Sequence, residues 1–464
     1  MIGRRDYLRT ACGLAAAAAL AALAAGQTPA PTPAPAPPAA PAETLPPASG
    51  LYVGAPSCAS SNCHGLTRPR RVFDVLQNEY FTWSKSDHHA TKAYPALFTE
   101  RSKLIARNLR LPAPAAESTL CLNCHAMVVP KAKQVNRLDL EDGISCEGCH
   151  GPASGWKEGH TATDWSHQKS VEAGMVDLRS LEVRSRLCLS CHLGNAGKTV
   201  DHDLIAAGHP VLRFELDNYS ESMPAHWMPF RDKQRKEGLR DSHGARAWAL
   251  GQACSFRDGL DQLALTARSQ HWPEFSELNC DSCHHTLTEQ RYKTLRYVDR
   301  PGLPRWSPSR WAVLRLLVAT VAPDAKAGLD TDVALLSQQL ARLGTPRSEV
   351  AETAERISRT VAGVIPRLDA APWGDPQVKR LLLAVADDDE YLTAADRASA
   401  EQAFYALQSL AAQLHKGDPR RARAGLAGTL ESMNNDFKDD PYSWSPSHFR
   451  DQLAQIKRQV QALP

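Results

Sequence analysis

The 464-residue chain has little net charge, no apolar run long enough to cross a bilayer, and no cysteine after Cys283. Its formal charge is +3 at pH 7 and it has no stripe of basic residues, which argues against nucleic-acid binding. An apolar run rich in Ala and Leu ends at Ala25 after about 15 residues, fewer than the ~20 that a membrane helix needs. We therefore expect the chemistry of the chain where its cysteines lie, before residue 300.

The N-terminus has the composition of an export signal. Three arginines precede the apolar run, and Ala22-Leu23-Ala24 forms an A-x-A cleavage pattern. We predict a signal peptide over residues 1–25 that is cleaved after export to the periplasm, with an uncleaved membrane anchor as the alternative. The basic part fits either a twin-arginine signal or an ordinary basic leader. Residues 26–50 are rich in Pro and Ala, which predicts an extended linker.

Five cysteine pairs are each followed directly by a histidine. Four have the spacing C-x-x-C-H, the attachment signal for c-type haem, in which two thiols bind the ring and the histidine ligates the iron. The first pair has the wider spacing C-x4-C-H, with small or turn-prone residues between the thiols. The cysteines are Cys58 and Cys63, Cys121 and Cys124, Cys146 and Cys149, Cys188 and Cys191, and Cys280 and Cys283, and the histidines are His64, His125, His150, His192 and His284.

Cysteine pairs alone would also suit a zinc site or, in an exported protein, disulfide bonds. The histidine separates these interpretations, because neither zinc nor disulfide chemistry requires it at that position. With 17 His in 464 residues, the chance that all five pairs are followed by one is on the order of 10⁻⁷. We therefore predict five covalently attached haem c groups, with the five motif histidines as proximal ligands of the iron.

The ligand on the opposite face of each iron decides what a haem can do. A second histidine fills the sixth position and suits electron transfer, whereas an open position can bind and reduce a small molecule. The distal ligand candidates are His88, His160, His202, His209 and His243, with His89 and His226 also available. His209 is favoured because Gly208 and Pro210 flank it and allow a tight turn.

The sequence pattern changes near residue 300. Residues 51–300 show little regular periodicity, apart from a helix predicted from about Asp241 to Ser269, as expected where haem forms much of the core. Residues 301–464 repeat apolar side chains at helical spacing and are numerous enough to bury a core of their own. The predicted fold is mainly α: a loop-rich multihaem cytochrome domain followed by a haem-free all-α helical domain.

Three stretches of the chain resemble the cytochrome c-554/c-552 family of multihaem cytochromes. They are Trp83-x-x-Ser86-x-His88, Cys146-Glu147-Gly148-Cys149-His150-Gly151-Pro152 and Gly208-His209-Pro210. The resemblance covers residues from about 51 to about 290 and implies a mostly helical, loop-rich fold with closely packed haems. It also implies that His88 is a distal ligand, with His89 beside it as the other choice. The family pattern has four haems, so the fifth site and the wide first motif depart from it.

These features predict a periplasmic multihaem cytochrome that carries electrons along closely packed, mostly bis-histidine haems and exchanges them with redox partner proteins. Two alternatives stay open. One is a redox enzyme with one open haem that acts on a small nitrogen or sulfur oxyanion or on NO. The cytochrome c-554/c-552 family is structurally related to a pentahaem nitrite reductase in which a lysine replaces the motif histidine at the catalytic haem. All five motifs of this chain keep the histidine, which counts against that activity. The other alternative is a docking subunit of a membrane-associated electron-transfer complex.

Overall fold

The computed structural model of the protein describes residues 50–70, 75–227, 243–284, 305–342, 344–415, 425–438 and 444–463. The predicted signal peptide and all but the last residue of the predicted linker lie outside these ranges. Within them the chain is mainly α-helical and contains no β-strand, which confirms the predicted fold class. None of the helices in these ranges combines the length and hydropathy of a membrane span.

Up to residue 227 the helices are short and joined by loops. They are α1 (Glu79–Ser86), α2 (His88–Thr91), α3 (Glu100–Asn108), α4 (Thr119–His125), α5 (Cys146–His150), α6 (His167–Glu172), α7 (Leu181–His192), α8 (His202–Ala206) and α9 (Leu216–Ser222). Short 3-10 turns lie at Ala55–Cys58, Pro95–Phe98, Ala115–Glu117, Lys131–Lys133, Leu140–Asp142, Ala153–Gly155, Gly159–Thr161, Phe275–Glu277 and Cys280–Ser282.

Three of these helices, α4, α5 and α7, each end at a motif histidine. Residues three apart lie on the same face of a helix, so a C-x-x-C spacing turns both thiols to one side. Capping side chains set where such helices begin. The Ser180 hydroxyl accepts a hydrogen bond from the backbone of Val183 at the start of α7, and the Asp201 carboxylate accepts one from Leu204 at the start of α8. The caps therefore fix the register of helices that carry His192 and His202.

From residue 243 the helices are longer. They are α10 (His243–Arg268), α11 (Ser309–Ala312), α12 (Leu314–Val321), α13 (Pro323–Leu340), α14 (Arg347–Ala370), α15 (Asp375–Ala386), α16 (Asp389–Ala395), α17 (Arg397–His415), α18 (Leu426–Lys438) and α19 (Pro446–Gln461). The first of them confirms the helix predicted before residue 300, and the others confirm the all-helical C-terminal region.

The helix α10 is buried on nearly all sides. Trp248, Phe256 and Leu260 are each at most 1% exposed, and a helix that is apolar all round belongs inside a core. It packs along α14 and also contacts α7, α9 and α17. Since α10 precedes residue 300 and α14 follows it, the two sides of that predicted boundary share one core, while the division into domains itself stays a prediction.

Candidate functional site

Four of the motif histidines each face a second histidine that follows no cysteine. The ring centroids are 6.1 Å apart for His64 and His160, 6.5 Å for His125 and His209, 6.2 Å for His192 and His89, and 6.3 Å for His284 and His202. The ring planes are close to parallel in the first pair, at 6°, and close to perpendicular in the second and third, at 88°. The same gap thus recurs with different ring orientations.

This gap fits two imidazoles on opposite faces of one metal ion. With a metal–nitrogen bond of about 2.0 Å and a ring nitrogen about 1.1 Å from the centroid, two opposed ligands have centroids about 6.2 Å apart. Each pair also joins one histidine of a cysteine motif to one from elsewhere in the chain, as a covalently attached and doubly ligated haem requires. The side chains present therefore fit haem c at these four motifs.

Hydrogen bonds at Nδ1 orient several of these rings. A metal-bound histidine commonly donates its second ring N–H to a carbonyl or a carboxylate, which fixes the ring and leaves the other nitrogen for the metal. The Nδ1 atom of His125 lies 2.7 Å from the carbonyl oxygen of Ala93, and that of His209 lies 2.8 Å from the carbonyl oxygen of Pro210. His160 makes the same kind of hydrogen bond to the Lys157 carbonyl.

Two other rings have a carboxylate at Nδ1 instead. The Nδ1 atom of His64 lies 2.9 Å from Glu79 Oε2, and the Nδ1 atom of His89 lies 3.0 Å from Asp87 Oδ1. The hydrogen bond that His64 donates to Glu79 raises the pKa of His64 above its ordinary value. Burial acts to raise the pKa of Asp87, but the hydrogen bonds from His89 lower it overall. Both pairs thus combine an imidazole donor with an ionised acceptor.

The third motif has a different environment. Burial is the main cause that lowers the pKa of His150 to about 4, and the charge of His226 is the next. The Nδ1 atom of His226 lies 3.2 Å from the Pro224 carbonyl oxygen. His226 thus lies near enough for its charge to act on the remaining motif histidine, as does His64 of the first motif.

The structure pairs three of the distal candidates, His160, His202 and His209, with motif histidines. At the W-x-x-S-x-H stretch the ring that faces a motif histidine is His89, whereas His88 is exposed. The cause is Asp87, whose carboxylate accepts hydrogen bonds from both the backbone and the ring of His89. His243 is the first residue of α10. The ligand roles of all these histidines, His88 and His243 included, stay predictions.

Contacts between cysteines show which motifs are neighbours. A hydrogen bond between the thiols of Cys58 and Cys146 lowers the pKa of Cys58 to about 7, so the first and third motifs adjoin. The charges of Cys188 and Cys191 act on Cys149, so the fourth motif lies next to the third. A hydrogen bond from Cys124 lowers the pKa of Cys191 to about 5, so the second motif lies next to the fourth.

The fifth motif joins this series at the second. His202, which faces His284, lies in α8, and His209, which faces His125, lies in the turn directly after α8. The Arg101 guanidinium donates to the Gly208 carbonyl at 2.8 Å and holds that turn against α3. One short segment thus supplies the histidines that face the second and fifth motifs.

The carboxylate of Glu147, inside the third motif, anchors the surrounding loops. Its side chain accepts hydrogen bonds from the backbone N–H groups of Val53, Gly54 and Ala153 at 2.8–3.1 Å, and the residue is 1% exposed. The indole of Trp83 donates to the Ile144 carbonyl at 3.0 Å and ties α1 to the same loop. These buried hydrogen bonds hold both flanks of the third motif in place.

The C-terminal helices support the fourth motif. The ring of His192 packs against Phe214 and Tyr219, with centroids 5.1 and 5.5 Å away. Arg213, beside them, forms an ion pair with Glu401 of α17. The segment that packs on a motif histidine is therefore fastened to a helix beyond residue 300.

Residues 58–151 match the family model described as cytochrome c554 and c-prime. No curated protein and no solved structure matches the chain. The matched segment contains the first three motifs, and it confirms the resemblance predicted from the sequence. Proteins of this kind bind haem c covalently, transfer electrons and are typically exported. Residues 58–151 are therefore similar to the cytochrome c554 and c-prime family of c-type cytochromes, and two of the three motif histidines in this segment, His64 and His125, are each opposed by a second histidine.

Proposed function

We propose that the protein is a periplasmic five-haem electron carrier whose haems form one continuous chain. The observation that carries this proposal is the set of four histidine pairs with ring centroids 6.1–6.5 Å apart. When bound, each haem supplies a one-electron centre whose potential depends on its axial ligands and surroundings. The four histidine pairs would hold the iron of their haems from both faces and so leave no coordination site for a substrate there.

The neighbouring motifs support a linear order of electron transfer. Hydrogen bonds between thiols join the first motif to the third and the fourth to the second, and the charges of Cys188 and Cys191 act on Cys149 of the third motif. The segment that carries His202 and His209 then joins the second motif to the fifth. We propose this order, with the first and fifth motifs as the two ends. Redox partner proteins, or a membrane-associated complex, exchange electrons at those ends.

The competing function is a redox enzyme with one open haem, and the third motif is the place to look for it. His150 is not a member of the four histidine pairs, and His226 is the histidine beside it. We assign His226 as its distal ligand because its charge acts on His150, while His64, whose charge also acts there, faces His160 instead. The carrier and the enzyme then differ only in whether the iron at the third motif has a second histidine ligand.

Low-temperature EPR of the oxidised, purified protein separates the two functions, with haem content measured on the same sample. The carrier predicts five haems per chain, all of them low-spin. A high-spin signal near one haem equivalent in the wild-type protein would contradict the assignment of His226 and favour the enzyme. Four haems per chain would contradict attachment at one of the motifs, and mass spectrometry of haem-bearing peptides would identify which one.

Export is tested separately from ligation. The proposal requires loss of residues 1–25 and recovery of the haem-loaded protein in a periplasmic fraction. The N-terminal sequence of the purified protein gives the cleavage site directly. An intact N-terminus together with recovery in the membrane fraction would support the uncleaved anchor instead.

A further inference from the structure

We infer that Glu79 and Asp87 are positioning residues that lower the reduction potentials of the haems at the first and fourth motifs. Each acts through the histidine that it hydrogen-bonds, whereas the two histidines at the second motif donate from Nδ1 to backbone carbonyls, and the haem there lies at a higher potential. This inference rests on the bis-histidine ligation proposed above. If it holds, neighbouring haems of the proposed carrier differ in reduction potential.

The carboxylate of Glu79 is held on both sides. One oxygen, Oε2, lies 2.9 Å from Nδ1 of His64. The other, Oε1, accepts hydrogen bonds from the backbone N–H groups of Leu76 and Gln77 at 2.7 and 3.1 Å. The Glu79 side chain is 17% exposed, so solvent screens its charge only in part. The carboxylate therefore stays directed at the back of the His64 ring.

The carboxylate of Asp87 is still less accessible. Its side chain is 2% exposed, and Oδ1 accepts hydrogen bonds from the backbone N and from Nδ1 of His89 at 2.9 and 3.0 Å. The ring of His89 faces that of His192 across the 6.2 Å gap. Asp87 thus acts on the haem of the fourth motif from the distal side, whereas Glu79 acts on the first haem from the proximal side.

The pair at the second motif provides an internal comparison. Both His125 and His209 donate from Nδ1 to uncharged backbone carbonyls, at 2.7 and 2.8 Å. The ring orientation is therefore fixed in the same way as at the first and fourth motifs. The difference between the sites is the charge of the acceptor rather than the presence of a hydrogen bond.

That difference acts on the potential through the charge of the iron. A carboxylate acceptor makes the imidazole a stronger donor of electron density, and charge-assisted hydrogen bonds are roughly twice as strong as neutral ones. The ferric ion carries one more positive charge than the ferrous ion, so a nearby negative group stabilises it more. A more stable ferric state means a lower reduction potential.

The test is a redox titration of the haem-loaded protein, followed by visible absorbance and by EPR, for wild type, Glu79→Gln and Asp87→Asn. Both amides keep an acceptor oxygen for the histidine and remove the charge. We expect each variant to stay low-spin and to raise the midpoint potential of one haem. A tenfold loss of preference for the ferric state corresponds to about 59 mV. The double variant should raise the midpoint potentials of two haems.

The control is Glu117→Gln, which removes one exposed carboxylate from the same region. Unchanged titrations in both variants, at full haem content and with low-spin spectra, would overturn the inference and leave the proposed carrier intact. An equal shift in Glu117→Gln would overturn it too, because the effect would then follow net charge. High-spin iron in the wild-type protein would instead count against the proposed ligation. If Glu79→Gln fails to fold, Asp87→Asn still tests the inference, because Asn caps a helix as well as Asp does.

Discussion

Replacing Glu147 by alanine removes the acceptor for three backbone N–H groups at once. The donors belong to Val53, Gly54 and Ala153, and all of the hydrogen bonds are buried. A buried donor left without an acceptor costs about 1–3 kcal/mol. Taking the lower value for each donor, we expect Glu147→Ala to reduce the free energy of unfolding by at least about 3 kcal/mol.

The assay is thermal unfolding followed by far-UV circular dichroism, on wild-type and variant proteins with equal haem content. A loss of about 3 kcal/mol lowers the unfolding midpoint by about 6 °C or more in a domain of this size range. Glu141→Ala is the matched control, because Glu141 lies six residues earlier in the chain and is exposed. We expect it to change the stability by less than about 0.5 kcal/mol. Equal midpoints for the two variants would refute the assignment of Glu147 as the anchor of the third motif.

Three further changes test the site and the core. His209→Ala should convert one haem to high spin in the EPR spectrum, because it removes the ring that faces His125. The control His167→Ala should leave the spectrum unchanged, because the His167 ring forms a hydrogen bond with Asp177 instead. A low-spin His209→Ala protein would show that His209 is not a ligand. His89→Ala should give the same one-haem conversion and His88→Ala should not; the reverse result would restore the ligand that the family pattern implies. A chain that ends at residue 304 should fail to accumulate as a folded five-haem protein, because α10 loses the buried contact with α14; recovery of that truncated protein with five low-spin haems would show that the region before residue 300 folds alone.

The attachment residues could be predicted from the sequence because covalent haem chemistry is local. Each motif is a run of consecutive residues, so its spacing alone indicates both thiols and the proximal histidine. The histidine on the other face is contributed by a distant part of the chain. Its choice depends on which loop passes the site, as with His160 opposite His64, and no short pattern records that.

The choice between His88 and His89 shows the same limit at the scale of one residue. The family pattern indicates His88, but the buried carboxylate of Asp87 accepts hydrogen bonds from His89 and directs the His89 ring at His192. Helix periodicity was a better guide after residue 300, where apolar spacing predicts the helices directly. It did not indicate that α10 and α14 pack together, because packing partners depend on tertiary structure.

The contact between α10 and α14 also has a consequence for maturation. A chain is synthesised from its N-terminus, so every haem-attachment thiol, up to Cys283, exists before the first residue of α14, Arg347. Until then the apolar surface of α10 has no α14 to cover it. The part of the core between α10 and α14 can therefore close only after the last attachment thiol has been made.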